Sequence, residues 1–377
     1  MKTNFSSIVD KIQSDYYTPE FLSQHYFPSL NGWRAFAILI VIFGHLKNSV
    51  DKSSLYYHFA EFFIYPELGV RIFFVLSGFL ITTLLIKEYI SNGKISIKTF
   101  FIKRSLRIFP VLYLYLLIIL ILNFYLKLDL TYGDFLGPAF YITNILFYFA
   151  QGTWITGHTW TLSIEEQFYL IWPFAFSYLT KKTWMISILF LFIPFLHVLW
   201  YYYPATSLLT FRPFLQGADG IFIGSMLSVA CFKGLIYENS KLWKSFLLPF
   251  VSALIIFWVY YCIHRGLMGV ILLPFGSFIS DLSICILILV SILHLDGIIY
   301  KILNTKILIS IGIISYSLYI WHNLLILPRD YKVEMLPRLP VPFNVLLTFI
   351  VSYFSYYYFE KHFLKLKKNL NKAQVNK

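Results

Sequence analysis

Arg34 and His45, with ten residues between them, lie within one of the most apolar stretches of the chain, Leu30-Asn-Gly-Trp-Arg-Ala-Phe-Ala-Ile-Leu-Ile-Val-Ile-Phe-Gly-His45. An ionisable side chain inside a membrane span is costly to keep, so it marks a substrate path or a reaction centre rather than packing. At ~1.5 Å of rise per residue the two groups stand roughly 16 Å apart along a helix, about half the thickness of a hydrocarbon core. That spacing suits a protein that meets a charged cosubstrate on one side and moves protons toward the other. Further ionisable groups recur in other apolar segments: Arg71, His158, Glu165, Glu166 and His322, expected toward the outer side, and Lys103, Arg104, Arg107 and Glu360, expected at the inner face.

The elements that must carry these groups are membrane helices. The 377 residues are 58% hydrophobic and only 13% charged, about half the charge of a soluble domain. The net charge of +13 sits in short clusters between apolar runs, which is the pattern of topology-setting loops and excludes a nucleic-acid partner. Cys231, Cys262 and Cys285 lack paired spacing, so neither a disulfide framework nor a metal site is expected. The N-terminus is polar and lacks the pattern of a cleaved secretory signal, so the first apolar segment is expected to be a retained span.

The predicted fold is all-α, a polytopic helical bundle of about ten transmembrane helices over residues 31–49, 66–87, 106–127, 160–179, 184–203, 215–232, 245–263, 269–294, 306–327 and 340–360. Residues 1–360 form one membrane domain and 361–377 a basic cytoplasmic tail. The connection from Lys87 to Arg107 holds six cations against Glu88 and is therefore assigned to the cytoplasm, as are both termini. Counting 131–150 as a span would put the tail outside, so that segment, with its Gly, Pro, Asp and Asn, is predicted to be interfacial or re-entrant on the outer side.

Five motifs in order over nearly the whole chain resemble those of the bacterial acyltransferase family 3, integral membrane acyltransferases. They are Leu30-Asn-Gly-Trp-Arg34-Ala with His45; Gly69-Val-Arg-Ile-Phe-Phe-Val-Leu-Ser77-Gly78-Phe79; Arg104-Ser-Leu-Arg107; His158-Thr-Trp160-Thr-Leu-Ser-Ile-Glu165-Glu166-Gln167-Phe-Tyr169; and Ser315-Tyr-Ser-Leu-Tyr-Ile-Trp321-His322. Asn31 and Arg71 stand where Asp is more usual in the family. The resemblance implies transfer of an acyl group, most often acetyl, from cytoplasmic acyl-coenzyme A to a hydroxyl of a glycan or glycolipid acceptor at the outer face, in the bacterial cytoplasmic (inner) membrane.

The residues can be assigned to that chemistry. Lys103, Arg104 and Arg107 suit the phosphates of coenzyme A, because guanidinium forks match phosphate and a helix start favours anions. Ser77-Gly78 either lines the acyl path or permits close helix packing. His45 is the expected general base, Glu165 the group that orients it or positions the acceptor, and Arg34 a donor-side cation. Arg71, Trp160, Glu166, Gln167, Tyr169, Trp321 and His322 are the expected acceptor-binding residues. Direct transfer and a covalent acyl-His45 both remain open. Many members carry a fused extracytoplasmic hydrolase-like domain, which these residues do not show, so acceptor recognition is expected to fall on the spans. The rival from another class is a multispan transporter of a small solute, although neither internal repeats nor matched broken helices are evident.

Overall fold

A computed structural model describes residues 16–24, 27–149, 152–179, 183–203, 212–331 and 339–366. Helix α1 spans Pro28–Leu46, α2 Leu55–Phe63, α3 Pro66–Asn92 and α4 Ile97–Leu126. Three short helices follow, α5 Tyr132–Ala139, α6 Thr143–Phe149 and α7 Trp154–Gly157. Then come α8 Thr159–Leu179, α9 Thr183–Tyr202, α10 Arg212–Phe232, α11 Leu247–His264 and α12 Gly269–Leu293. The chain continues through α13 Ile298–Leu303, α14 Lys306–Ile313, α15 Ser315–Leu325 and α16 Val341–Phe354, which runs into a π-helical turn at Ser355–Glu360. No strand occurs among the described residues.

Six of these helices are long and apolar enough to cross a membrane: Ser29–Ser49, Pro66–Asn92, Ile97–Leu126, Arg212–Phe232, Leu247–His264 and Pro274–Leu293. The expected span 306–327 is instead broken, α14 and α15 meeting at 71°. The expected span 106–127 begins nine residues earlier, because the basic stretch Ile97–Leu106 continues the same helix. Segment 131–150 holds only the short helices α5 and α6, too short to span. Lys181, Lys182 and residues 367–377 of the basic tail lie outside the described residues.

The chain divides into two compact units. Unit 1 comprises Met1–Ala37, Glu67–Ile95 and Phe168–Gly312; unit 2 comprises Ile38–Pro66, Ser96–Gln167 and Ile313–Lys377.

In unit 1, α3 and α10 touch backbone to backbone. A Cβ on Gly78 would stand 1.7 Å from the Ile221 carbonyl oxygen, and one on Gly224 would stand 2.0 Å from that of Val75. Small residues at such crossings are how membrane helices gain close contact, so Gly78 is required by packing.

In unit 2, α4 buries Ile108, Val111, Leu112, Tyr115, Leu116 and Ile119 on one face. Leu117, Leu120, Ile121 and Phe124 are exposed on the other. A helix apolar all round that buries one stripe leaves the remainder for lipid. The short helices are held by Asp134, which accepts from Thr131 N (2.9 Å) and Oγ1 (2.8 Å), Thr153 Oγ1 (2.6 Å) and Thr156 Oγ1 (2.8 Å). Thr143 Oγ1 and Thr159 Oγ1 pair at 2.9 Å, and the Thr143 N–H donates to Ser163 Oγ at 3.2 Å. These bonds fold 131–158 back so that α8 starts from a buried turn, with His158 5% and Thr159 1% exposed.

Candidate active site

The last turn of α1 presents His45 in unit 2. Its Nδ1 lies 3.0 Å from Nε2 of His322 and 3.1 Å from Oδ1 of Asn323, both on α15. The imidazoles of His45 and His322 stack at 5.2 Å, and the Trp154 indole lies 5.0 Å from His45. His322 is fully buried and its Nδ1 lies 2.6 Å from the Tyr319 carbonyl; His45 is only half-buried.

His158 completes a cluster of three histidines. Its ring packs edge-on against Tyr115, Tyr319 and His322, and neither ring nitrogen has a hydrogen-bond partner among the described residues. The Tyr319 hydroxyl donates to the His158 carbonyl at 2.7 Å and lies 2.6 Å from Thr161 Oγ1, tying α15 to the start of α8. Among the described residues no three His, Cys, Asp or Glu side chains are grouped to hold a metal ion. Buried polar atoms without partners are rare, so His158 and the equally unpartnered Nε1 of Trp321 hold hydrogen-bonding capacity unused among the described residues.

About two helical turns beyond His158, Glu165 and Glu166 of α8 meet Arg104 of α4. The guanidinium Nη2 donates to Glu165 at 3.3 Å and Nε donates to Glu166 at 3.2 Å. This corrects the division into outer carboxylates and inner cations. Because α8 starts from a buried turn and α4 extends back to Ile97, the polar stretches of both helices reach each other. It also corrects the expected pairing of Glu165 with His45, since His45 is held by His322 and Asn323. Lys103 and Arg107 flank Arg104 on α4. Gln167 donates to the Tyr141 carbonyl (2.7 Å) and to Asn144 Oδ1 (2.9 Å), while Trp321 packs edge-on against Tyr115. Trp160 is half-buried in the first turn of α8.

The other predicted residues belong to unit 1. Arg34 donates to Asn31 Oδ1 at 3.1 Å, Tyr169 is buried, Gly78 lies where α3 crosses α10, and Ser77 beside it is half-buried. Arg71, expected to add a cation for an anionic acceptor, is buried instead. Its Nε and Nη2 fork onto both oxygens of Asp281, and Nη1 donates to Asp219 at 2.6 Å. Two carboxylates leave this guanidinium no surplus charge to offer an anion.

Asn323, Tyr319 and Asp134 were missed by sequence reasoning. Asn323 directly follows the Trp321-His322 motif, and that adjacency was the only available signal.

The arrangement is a half-buried imidazole anchored through one nitrogen and, in the same helical unit, a cation clamped by two carboxylates. Residues 27–357 match the acyltransferase domain of acyltransferase family 3. A Staphylococcus aureus (strain COL) protein named, provisionally, an O-acetyltransferase is 29% identical over 375 residues, covering 92% of this chain and 58% of the relative. The O-acetyltransferase OatA of Staphylococcus aureus is 28% identical over 364 residues, 90% of this chain and 57% of its own length. The peptidoglycan O-acetyltransferase OatA of Listeria monocytogenes is 34% identical over 162 residues, 40% of this chain and 24% of its own length. The chain therefore spans less than two thirds of these relatives. No solved structure matches it. With its family match over most of the length and its apolar helices, the chain is a multi-pass membrane protein that belongs to the acyltransferase 3 family.

Proposed function

We propose that this protein is an O-acetyltransferase of the bacterial cytoplasmic membrane, moving an acetyl group from cytoplasmic acetyl-coenzyme A to a hydroxyl of a glycan at the outer face. Ten spans with both termini cytoplasmic complete the proposal. Family membership and the O-acetyltransferase names of the relatives support the reaction, and the Listeria relative's name supports peptidoglycan as one acceptor to test. The observation that carries the reading is His45: a half-buried imidazole, anchored through Nδ1, in the same unit as Arg104 and its two glutamates.

In this reading His45 takes the proton of the acceptor hydroxyl as it attacks the thioester carbonyl. Glu165 and Glu166, fixed by Arg104, hold acceptor hydroxyls. Lys103 and Arg107 bind the coenzyme's phosphates, with Arg104 shared between that role and the carboxylates.

The test is thioester turnover by purified protein in nanodiscs with acetyl-coenzyme A and cell-wall glycan. Release of free coenzyme A with formation of an acetyl ester is expected, falling about 100-fold or more in His45→Ala. Failure to bind or consume acetyl-coenzyme A with any supplied glycan would refute the proposal and leave solute transport as the reading to examine.

A further inference from the structure

The hydrogen bonds around His45 fix which of its nitrogens is basic. Asn323 Nδ2 donates to the Trp154 carbonyl at 2.8 Å, which sets the amide with Oδ1 toward His45. That oxygen only accepts, so the proton of neutral His45 sits on Nδ1. His322 gives the same answer independently. Its Nδ1 lies 2.6 Å from the Tyr319 carbonyl, which also only accepts, so the His322 proton is on Nδ1 and its Nε2 presents a lone pair to His45 Nδ1 at 3.0 Å. Both partners therefore demand Nδ1–H on His45 and leave its Nε2 as the base.

We propose that Asn323 and His322 are the positioning residues of this site, doing with neutral groups what a buried carboxylate does for the histidine of a hydrolase triad. They hold His45 in one tautomer and stabilise its imidazolium through two acceptors on the same N–H. A neutral pair suits a membrane interior, where an uncompensated carboxylate is costly. Glu165, the sequence candidate for this role, is engaged with Arg104. The inference rests on His45 being the base in the function proposed above. In the step itself the acceptor's hydroxyl proton moves to His45 Nε2, its oxygen bonds to the thioester carbon, and the carbon–sulfur bond breaks. The departing thiolate then takes the Nε2 proton. Ester, free thiol and neutral His45 result, and the Nδ1 protons of both histidines stay in place throughout.

Among the described residues no carboxylate hydrogen-bonds to His45. Lys47 follows on the next turn and is paired with Glu61 at 2.5 Å; Trp154 and His158 approach from the turns before α8, with Tyr115 and Tyr319 behind His158.

Two measurements on the full chain in lipid test this. In ¹⁵N spectra of histidine-labelled protein, the signals lost in His45→Gln are expected to show a protonated Nδ1 and an unprotonated Nε2. The opposite tautomer overturns the inference whatever the activity. In pH–rate profiles of acetyl-coenzyme A turnover, His322→Leu is expected to lower kcat at least about tenfold with KM little changed. It should also move the acid limb to lower pH, because the imidazolium loses an acceptor. His322→Gln, whose amide oxygen can still accept, should recover part of the loss, and Asn323→Asp should move the acid limb to higher pH. Unmoved limbs in both Leu and Asp variants overturn the inference. Turnover that persists in His45→Ala overturns instead the assignment of His45 as base, and the spectra then decide the tautomer alone.

Discussion

Removing Arg71 strands two carboxylates inside unit 1. Asp219 and Asp281 are 1% and 0% exposed, and among the described residues Asp219 receives, besides the guanidinium, its neighbour's N–H, Ser277 Oγ at 3.3 Å and His197 Nε2 at 3.6 Å. Breaking a buried ion pair by deleting one partner costs about 3–5 kcal/mol, so Arg71→Leu is expected to lower the unfolding midpoint in detergent sharply. Asp281→Asn in the same chain should recover part of the loss, because only one carboxylate then lacks its cation. An unchanged midpoint in Arg71→Leu would refute this account. The contrast with His45 explains what a sequence discloses at this scale. Ionisable residues in apolar runs are few, so His45, His322, Glu165 and Arg71 announce themselves. Their partners do not: Asp219 and Asp281 lie 148 and 210 residues from Arg71, and His322 lies 277 from His45. Only the fold pairs them, which is why the sequence left Glu165 between orienting His45 and positioning the acceptor, and why Asn323, a common polar residue, carried no mark of its role.

Among the elements, the folded-back segment between α4 and α8 depends most on a single side chain. Burial by itself would raise the carboxyl of Asp134, but donation from Thr153, Thr131 and Thr156 outweighs it and holds the group below the ordinary carboxylate range. A carboxylate with a lowered folded-state value contributes its stability fully above the unfolded value of about 4, and loses it as pH falls through the lower folded value. Asp134→Asn is therefore expected to cost about 1–3 kcal/mol at neutral pH, and to lack the part of the wild-type acid destabilisation that Asp134 supplies below about pH 4. Thermal midpoints of both proteins across that range check it; parallel curves would exclude the role. Loop charge was enough to keep 131–150 from being read as a span, because cation counts report which side a segment lies on. They say nothing of how far it folds inward, and so the buried start of α8 went unseen. The break between α14 and α15 was equally hidden, since apolar residues run on through Ile313 and Ile314 and Gly312, the glycine beside the 71° turn, is of a kind common within membrane helices.

For the whole molecule the decisive quantity is which side each loop occupies, and one constraint does not depend on counting spans. Within unit 2, Arg329 pairs with Asp51, the Arg329 N–H donates to the Asn48 carbonyl at 2.8 Å, and Ser49 Oγ donates to the Leu327 carbonyl at 2.7 Å. The loop after α1 and the loop after α15 therefore share a side. If the last helix, continuing from α16 through Glu360, crosses once, the residues beyond it lie on the other side. In the topology proposed above, the cation-rich connection between α3 and α4 lies on that other side, in the cytoplasm. Single cysteines at exposed positions read this directly, because the native Cys231, Cys262 and Cys285 are buried and should give little background. With a membrane-impermeant maleimide on intact cells, Ser53→Cys is expected to label, while Ser91→Cys and Lys365→Cys label only after permeabilisation. Labelling of Ser53 and Lys365 from the same side would mean that the last helix does not cross. Labelling of Ser91 from outside would invert the orientation, and with it the premise that the cations of α4 face a cytoplasmic acyl donor.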